Sequence, residues 1–306
     1  MRRRAVPLAA AVAVGCAIAR LIGAQSEMLP HTRANSAADF GAQGWPADSP
    51  NAGFLTRVRA ASARYRDRGV AILDGYRPIG GDFPGMGEHW INVGILFAGH
   101  ITPEQPPILE YATIAGRPVL IGVAYAAPLL TGESPPAFPG HDAWHEHTGT
   151  VESETDLLNQ AMASHESMPG ARLAMLHVWA WLPNPAGAFH SDNWALPFVR
   201  AGLAAPAVDP GPAVGRVVSL LSGGDAFYEH VFVSVAAASP SDSIAIHDAL
   251  GTAHAAAVAW AARVREDSAT PEALDQLRSV WTSMWDALDS SLSAGARARL
   301  RTLRDR

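Results

Sequence analysis

Residues 172–182 read Arg-Leu-Ala-Met-Leu-His-Val-Trp-Ala-Trp-Leu, and this stretch decides the fold class. In an extended chain, successive side chains point to opposite faces, so Met175, His177 and Trp179 share one face and smaller apolar residues share the other. Residues 184–187, Asn-Pro-Ala-Gly, then have the composition of a type I turn. The sequence therefore predicts a strand that ends in a tight turn and carries a histidine among tryptophans.

Two more apolar runs predict strands, at residues 107–114 and 117–127, on either side of Ala115-Gly116. The second run is apolar on both faces, which suits a central strand covered on both sides. Apolar residues at helical spacing predict a helix over 52–73. Beyond residue 206 the chain reads mainly as helices, at 214–221, 225–238, 242–266 and 271–304, although 231–235 also fits a strand. These patterns predict an α+β protein whose antiparallel β core, a barrel or a sandwich-like sheet, spans about residues 85–200 between an N-terminal helix and a helical C-terminal region.

The predicted organisation has four parts. They are an export signal at 1–24, a flexible leader at 25–51, an α+β domain with a histidine-rich metal site at 52–205, and a mainly helical region at 206–306 packed on that domain. In the first part, three arginines follow Met1, and a short apolar run follows the arginines. That run is too short to span a membrane comfortably, and the combination is typical of export signals. Cleavage before Gln25 fits ordinary signal peptidase. Residues 12–16, Val-Ala-Val-Gly-Cys, instead resemble a lipobox, which would leave Cys16 acylated and the protein attached to a membrane. Both outcomes place the protein outside the cytoplasm, in the periplasm, in the extracellular space or on the cell envelope.

The composition excludes several kinds of chemistry. All 23 basic residues are arginines, so Schiff-base and phosphate-loop lysines are absent. Cys16 is the only cysteine, which excludes disulfides within the chain, thiolate-held metals and a catalytic cysteine in the body of the protein. Without residues 1–24 the chain has 19 arginines against 29 acids, a net charge of −10, so nucleic acid is not an expected partner.

Residues 144–152 contain two histidines and two glutamates, all of which can bind a metal. They read Trp-His-Glu-His-Thr-Gly-Thr-Val-Glu. In an extended segment His145 and His147 point to the same side, and two imidazoles on one side can begin a metal site. The spacing His-x-His followed by Glu152 resembles the first metal-binding motif of the cupins, where such residues hold a divalent metal inside a β-barrel. Glu152 also fits an acid at the start of a following helix.

His89 and His177 are the other two candidate ligands. His89 follows a glycine-rich stretch at residues 80–87, and Trp90 follows it. For each residue the alternative is a buried histidine that hydrogen-bonds to its surroundings. Nitrogen-rich ligation without thiolate suits Zn, Cu, Fe or Ni better than Mg or Ca. The sequence predicts that His89, His145, His147 and His177 converge on one divalent transition metal, with Glu152 as a fifth ligand or a supporting acid.

Five motifs together resemble a set of uncharacterised bacterial exported proteins. They are Ala-Ile-Leu-Asp-Gly-Tyr at 71–76, Gly-Met-Gly-Glu-His at 85–89, Leu-His-Val-Trp-Ala-Trp at 176–181 and Asn-Pro-Ala-Gly-Ala-Phe at 184–189, with Trp-His-Glu-His at 144–147. The resemblance covers about residues 55–195. It implies a shared fold and a shared histidine site, and it brings no activity with it.

Three functions are compatible with these patterns. The first is an exported protein that binds a divalent transition metal through clustered histidines, with a small molecule as a further partner and the reaction open. The second is a non-catalytic binding or scaffold protein of the cell envelope whose histidines are structural. The third is a metal-independent hydrolase, but the sequence has no Gly-x-Ser-x-Gly motif and no selected Ser-His-Asp set. Whether the protein is an enzyme, and how many copies assemble, stay open at this level.

Overall fold

The computed structural model describes residues 51–98, 101–129, 132–136, 139, 143–146, 172–264 and 270–304. The predicted export signal and almost all of the predicted leader lie outside the described residues, as do His147 and Glu152. The chain divides into two compact units. One takes in residues up to 81 together with 87–113 and 117–191, and the other takes in 82–86, 114–116 and 192–306.

The α+β fold is confirmed. Within the described residues, six strands form one sheet in the order β1-β2-β3-β4-β6-β5. Their bounds are Arg77–Phe83 for β1, Gly87–Ile91 for β2, Ile108–Ile114 for β3, Arg117–Leu129 for β4, His145–Glu146 for β5 and Arg172–Val178 for β6. The pairs β2–β3, β4–β6 and β5–β6 are antiparallel. The predicted runs 107–114 and 117–127 are therefore strands β3 and β4, and β4 lies inside the sheet as its two apolar faces indicated.

The expected barrel is not closed. Strands β1 and β5 are the two ends of the strand order, so the described residues form one open sheet. Of the described residues, His145 and Glu146 form β5, which lies at the opposite end of the strand order from β1. The cupin-like spacing therefore implied a barrel that the described residues do not form.

The predicted strand over 172–182 is shorter than expected. It ends at Val178, and the backbone N–H of Trp179 then donates to the carbonyl of Ala188. The N–H groups of Trp181 and Leu182 both donate to the carbonyl of Ile121. The chain thus leaves the sheet four residues early, because the N–H of Trp179 bonds to Ala188 and the N–H groups of Trp181 and Leu182 share one carbonyl instead of continuing the ladder.

The predicted helix over 52–73 is divided. Helix α1 spans Ala52–Ser62, a 3₁₀ turn spans Ala63–Arg66, and α2 spans Arg68–Leu73. Asp67 interrupts the helix because its backbone is extended and its carboxylate accepts the N–H of Gly69, which starts a new helix. The short helix α3, Val93–Leu96, follows β2. The core of this unit contains Leu55 and Val58 of α1 and fully buried Tyr76, Leu109 and Tyr125.

The second unit is helical, as predicted. Its helices are α4 Leu196–Arg200, α5 Pro212–Ser219, α6 Gly224–Ala236, α7 Pro240–Val264, α8 Pro271–Ser291 and α9 Ala294–Arg304. Residues 231–235, which also fitted a strand, lie within α6. Pro271 begins α8, where the side chain of Thr270 accepts the N–H of Ala273, and the buried residues of this helix are Leu274, Leu277, Trp281, Met284, Trp285 and Leu288. Among the described helices, none combines the length and apolar character needed to cross a membrane.

Candidate metal site

Strand β3 places one acid, Glu110, inside an otherwise apolar strand. Glu110 lies directly opposite His89 of β2 in the antiparallel register, so the two side chains share a sheet face. Its carboxylate is completely buried, and its Oε1 hydrogen-bonds to Nδ1 of His177 on β6. Three strands thus bring two histidines and one carboxylate to the same place.

Strand β4 makes room for this carboxylate at Gly122. A Cβ atom built on Gly122 would overlap Glu110 Oε2 and would lie 2.8 Å from the carbonyl oxygen of Val178. Any side chain at this position would displace the carboxylate, since a carbon atom is not found that close to an oxygen. Ala124, two residues further along β4, lies opposite His177 in the antiparallel register and has only a methyl side chain. Small residues on the central strand therefore leave the space that the polar group fills.

The histidines are nearly as buried as the acid. His177 is 0% exposed and His89 is 8% exposed. Nε2 of His89 lies 3.8 Å from Glu110 Oε1, and the two imidazole rings meet edge to face with 5.6 Å between their centres. One nitrogen from each histidine and one oxygen of Glu110 all lie within 4.8 Å of one another. A metal ion bound at about 2.0–2.2 Å from each donor fits such a triangle with small side-chain adjustments.

His145 lies beside this group. It sits on the edge strand β5 opposite Met175, two residues from His177, and therefore faces the same side of the sheet. Its half-buried ring stacks on that of His177, with 5.1 Å between ring centres and 18° between ring planes. The three donors that lie within 4.8 Å of one another do not include His145. The structure thus places His145 next to a candidate ligand, at the margin of the group.

Burial dominates the electrostatics of the site. It raises the pKa of the Glu110 carboxyl from an ordinary value of 4.5 to about 7, and the charge that His89 can carry opposes the rise. Glu110 Oε2 is buried and has no hydrogen-bond partner among the described residues. A buried carboxylate oxygen without a donor is costly, and a bound cation would satisfy it. The donor set suits a divalent metal for that reason.

Of the predicted ligands, the structure brings His89 and His177 together, each within reach of Glu110, and places His145 against His177. His147 and Glu152 lie outside the described residues, so their part in the site stays a prediction. The sequence reading missed Glu110. The available signal was a single acid within residues 107–114, which otherwise form an apolar strand, together with a glycine in the middle of the adjacent strand.

Comparisons with protein-family models, with curated proteins and with solved structures gave no match to this chain. The resemblances drawn from its motifs therefore stay predictions.

Proposed function

We propose that this is an exported protein that binds one divalent transition metal through His89, Glu110 and His177. The observation that carries the proposal is the buried carboxylate of Glu110, which touches His177, faces His89 and has an oxygen with no hydrogen-bond partner among the described residues. A sheet interior rarely holds a charged group unless that group is paired or coordinates a metal.

The donor set narrows the choice of metal. Two imidazoles and one carboxylate are the protein ligands of many catalytic zinc sites and of non-haem iron sites, and Zn, Fe and Cu all accept them. Three protein donors leave a coordination position for water or a small molecule, and a metal held there would supply Lewis-acid or redox chemistry. The chain's own contribution is a buried site in which Gly122 leaves space for the carboxylate of Glu110, and that carboxylate also orients His177 through a hydrogen bond.

Metal content tests this proposal. The untagged protein is purified beside the variants Glu110→Gln and His177→Ala, with His190→Ala as the matched control because His190 is an exposed histidine of the same unit. We expect near-stoichiometric metal in the parent and the control, and affinity reduced by at least about 10- to 100-fold in the two site variants. A metal-free parent that also refuses added Zn, Cu and Fe would overturn the proposal.

The hydrogen bond between His177 and Glu110 also favours a second candidate function. A buried histidine held by a buried acid is a stable structural pair, as expected in a non-catalytic binding or scaffold protein of the cell envelope. The two candidates differ in how the fold responds to metal. A metal site is stabilised by bound metal and loses this gain in Glu110→Gln, whereas a structural pair is unaffected by metal or chelator.

Export rests on the sequence of residues 1–24 alone. The mass of the protein recovered from the cell envelope or the medium tests it. A chain beginning at Gln25 indicates ordinary cleavage, and a diacylglycerol adduct at Cys16 indicates attachment to a membrane. A chain that still begins at Met1 in the cytoplasm would contradict export while leaving the metal site in place.

A further inference from the structure

A groove runs along helices α7 and α8 of the second unit. Its volume is about 560 Å³. Small side chains dominate its wall on both helices, among them Thr252, Ala256, Ala259, Ser279, Ser283 and Ala287. Most of the groove surface is apolar, and the exposure of apolar surface to water is unfavourable. Small residues on two neighbouring helices allow a third helix to approach both closely.

The exposed side of α7 extends this apolar surface. Ile244 is 63% exposed and Val258 is 50% exposed, and both belong to the small set of large apolar side chains that the described residues expose. Ala255, which lies between Ile244 and Val258 along α7, and Ala262, one turn after Val258, are also exposed. A helix on the surface of a single unit normally carries polar residues on its outer side. This side of α7 is instead suited to contact with another apolar surface.

Gly251 lies on the same side, in the interior of α7. It is exposed, and a Cβ atom added there would meet no atom within 4 Å. Among the described residues, therefore, nothing requires a glycine at this position. Glycine in an exposed helix interior is also less favourable for the helix than alanine. Close approach of another backbone is the circumstance in which the missing side chain is useful.

The charges of α7 are arranged for pairing with an identical helix. Asp248 and Arg263 are exposed, and the residues between them include no Asp, Glu, Lys or Arg. They lie at equal distances on either side of the Ala255–Ala256 bond. Two copies of α7 that cross there in antiparallel orientation therefore place each Asp248 opposite Arg263 of the other copy. Arg263 is already oriented at the rim, where it donates to Oε1 of Gln276 at 3.0 Å.

We propose that a second copy of this chain occupies the groove. Helix α7 of each copy lies against α7 and α8 of the other about a twofold axis near Ala255, which gives a four-helix contact with two Asp248–Arg263 pairs. The 25 residues of α7 are about 37 Å long, and two helices side by side are roughly 20 Å wide. The available footprint is about 750 Å² per copy, close to the roughly 800 Å² per partner of a stable interface.

Sedimentation velocity between 1 and 100 µM tests the proposal, with Gly251→Leu as the first variant. Leucine is the better helix former, so this variant keeps the fold while its side chain fills the contact. Thr282→Leu is the matched control, because Thr282 is exposed on α8 and is not among the residues that line the groove. We expect a dimer for the parent and the control, and a monomer with an unchanged circular-dichroism spectrum for Gly251→Leu.

Charge exchange tests the orientation of the two copies. Asp248→Arg and Arg263→Asp should each weaken the dimer by about 5- to 10-fold, because each change removes two pairs, and the double variant should regain most of the loss. A double variant weaker than both single variants would overturn the antiparallel arrangement. A parent that is monomeric at 100 µM would overturn the dimer. So would a monomer that binds a fluorescent fatty acid in a manner that Gly251→Leu abolishes, since the groove would then serve an apolar ligand.

Discussion

The carboxyl of Glu110 should make the metal-free protein less stable as the pH rises. In the folded chain its pKa is raised from 4.5 to about 7, so the folded state retains a proton that the unfolded state has lost. The carboxyl of Glu110 therefore makes its full contribution to the stability of the folded state below pH 4.5. This contribution is lost as the pH rises towards about 7, and none of it remains above that pH. The rise in pKa corresponds to about 3 kcal/mol, of which about 2–3 kcal/mol falls between pH 5 and pH 8.

Glu110→Gln isolates this effect. The carboxamide keeps the size of the carboxyl and does not titrate, so the variant should lose metal and yet be more stable than the metal-free parent at pH 8. Hydrogen exchange of peptides from β3 and β4 measures the first unit alone, which avoids treating a chain of two compact units as one transition. We expect protection factors of the metal-free parent to fall by about 50- to 100-fold between pH 5 and pH 8.

The variant should show none of this loss. If Glu110→Gln loses as much protection between pH 5 and pH 8 as the parent does, then Glu110 is not the group that titrates near neutrality. The physical reasoning about its burial would then be refuted. Adding metal to the parent at pH 8 serves as a positive control, because binding to the ionised carboxylate should restore the protection.

Three further predictions concern the same unit or its neighbour. Gly122→Ala should displace the carboxylate of Glu110, reduce stability by about 1–3 kcal/mol and weaken metal binding, as measured by thermal unfolding and a metal titration. The control Gly81→Ala, at a position where a Cβ meets no described atom within 4 Å, should change neither stability nor metal binding. Metal affinity should fall by up to about 10-fold per pH unit below pH 7 from Glu110 alone, measured by calorimetry, because the carboxyl must lose its proton to bind. Asp82→Asn should destabilise the second unit by about 1–3 kcal/mol in urea unfolding, because it weakens the two hydrogen bonds that the buried guanidinium of Arg200 donates to residue 82. An unchanged urea midpoint would contradict this prediction.

The sequence predicted the elements whose pattern is local. Alternating or continuous apolar residues predicted β3, β4 and β6, and the mainly helical character of the chain beyond residue 206 was predicted as well, because these patterns are local. It did not predict β1 and β2, since glycines between residues 80 and 87 read as a loop. The break at Asp67 was also missed, because an acid within an apparent helix reads equally well as a surface residue.

The candidate metal site was predicted only in part, because only some of its residues lie in local patterns. His89 stood out because Trp90 follows it, and His177 stood out because it alternates with Trp179 on one face of a predicted strand, and both patterns are visible in the sequence. Glu110 did not, because its role depends on the register that places it opposite His89 and on the strand order that brings β6 within reach. Strand register and strand order depend on pairing between residues far apart in the chain. A single sequence indicates such pairing only indirectly, for example when an acid in one apolar strand and a glycine in the next both depart from the pattern of their strands.

The contact between Gly122 and Glu110 has a consequence for how this protein can change over evolutionary time. The carboxylate occupies the volume that a side chain at residue 122 would need, so a descendant that keeps the acid in place cannot gain a side chain there. A descendant that shortened the acid would carry a void beneath the sheet, while the carbonyl of Val178 would still restrict residue 122. We expect glycine at 122 in every descendant of this chain that retains the acid.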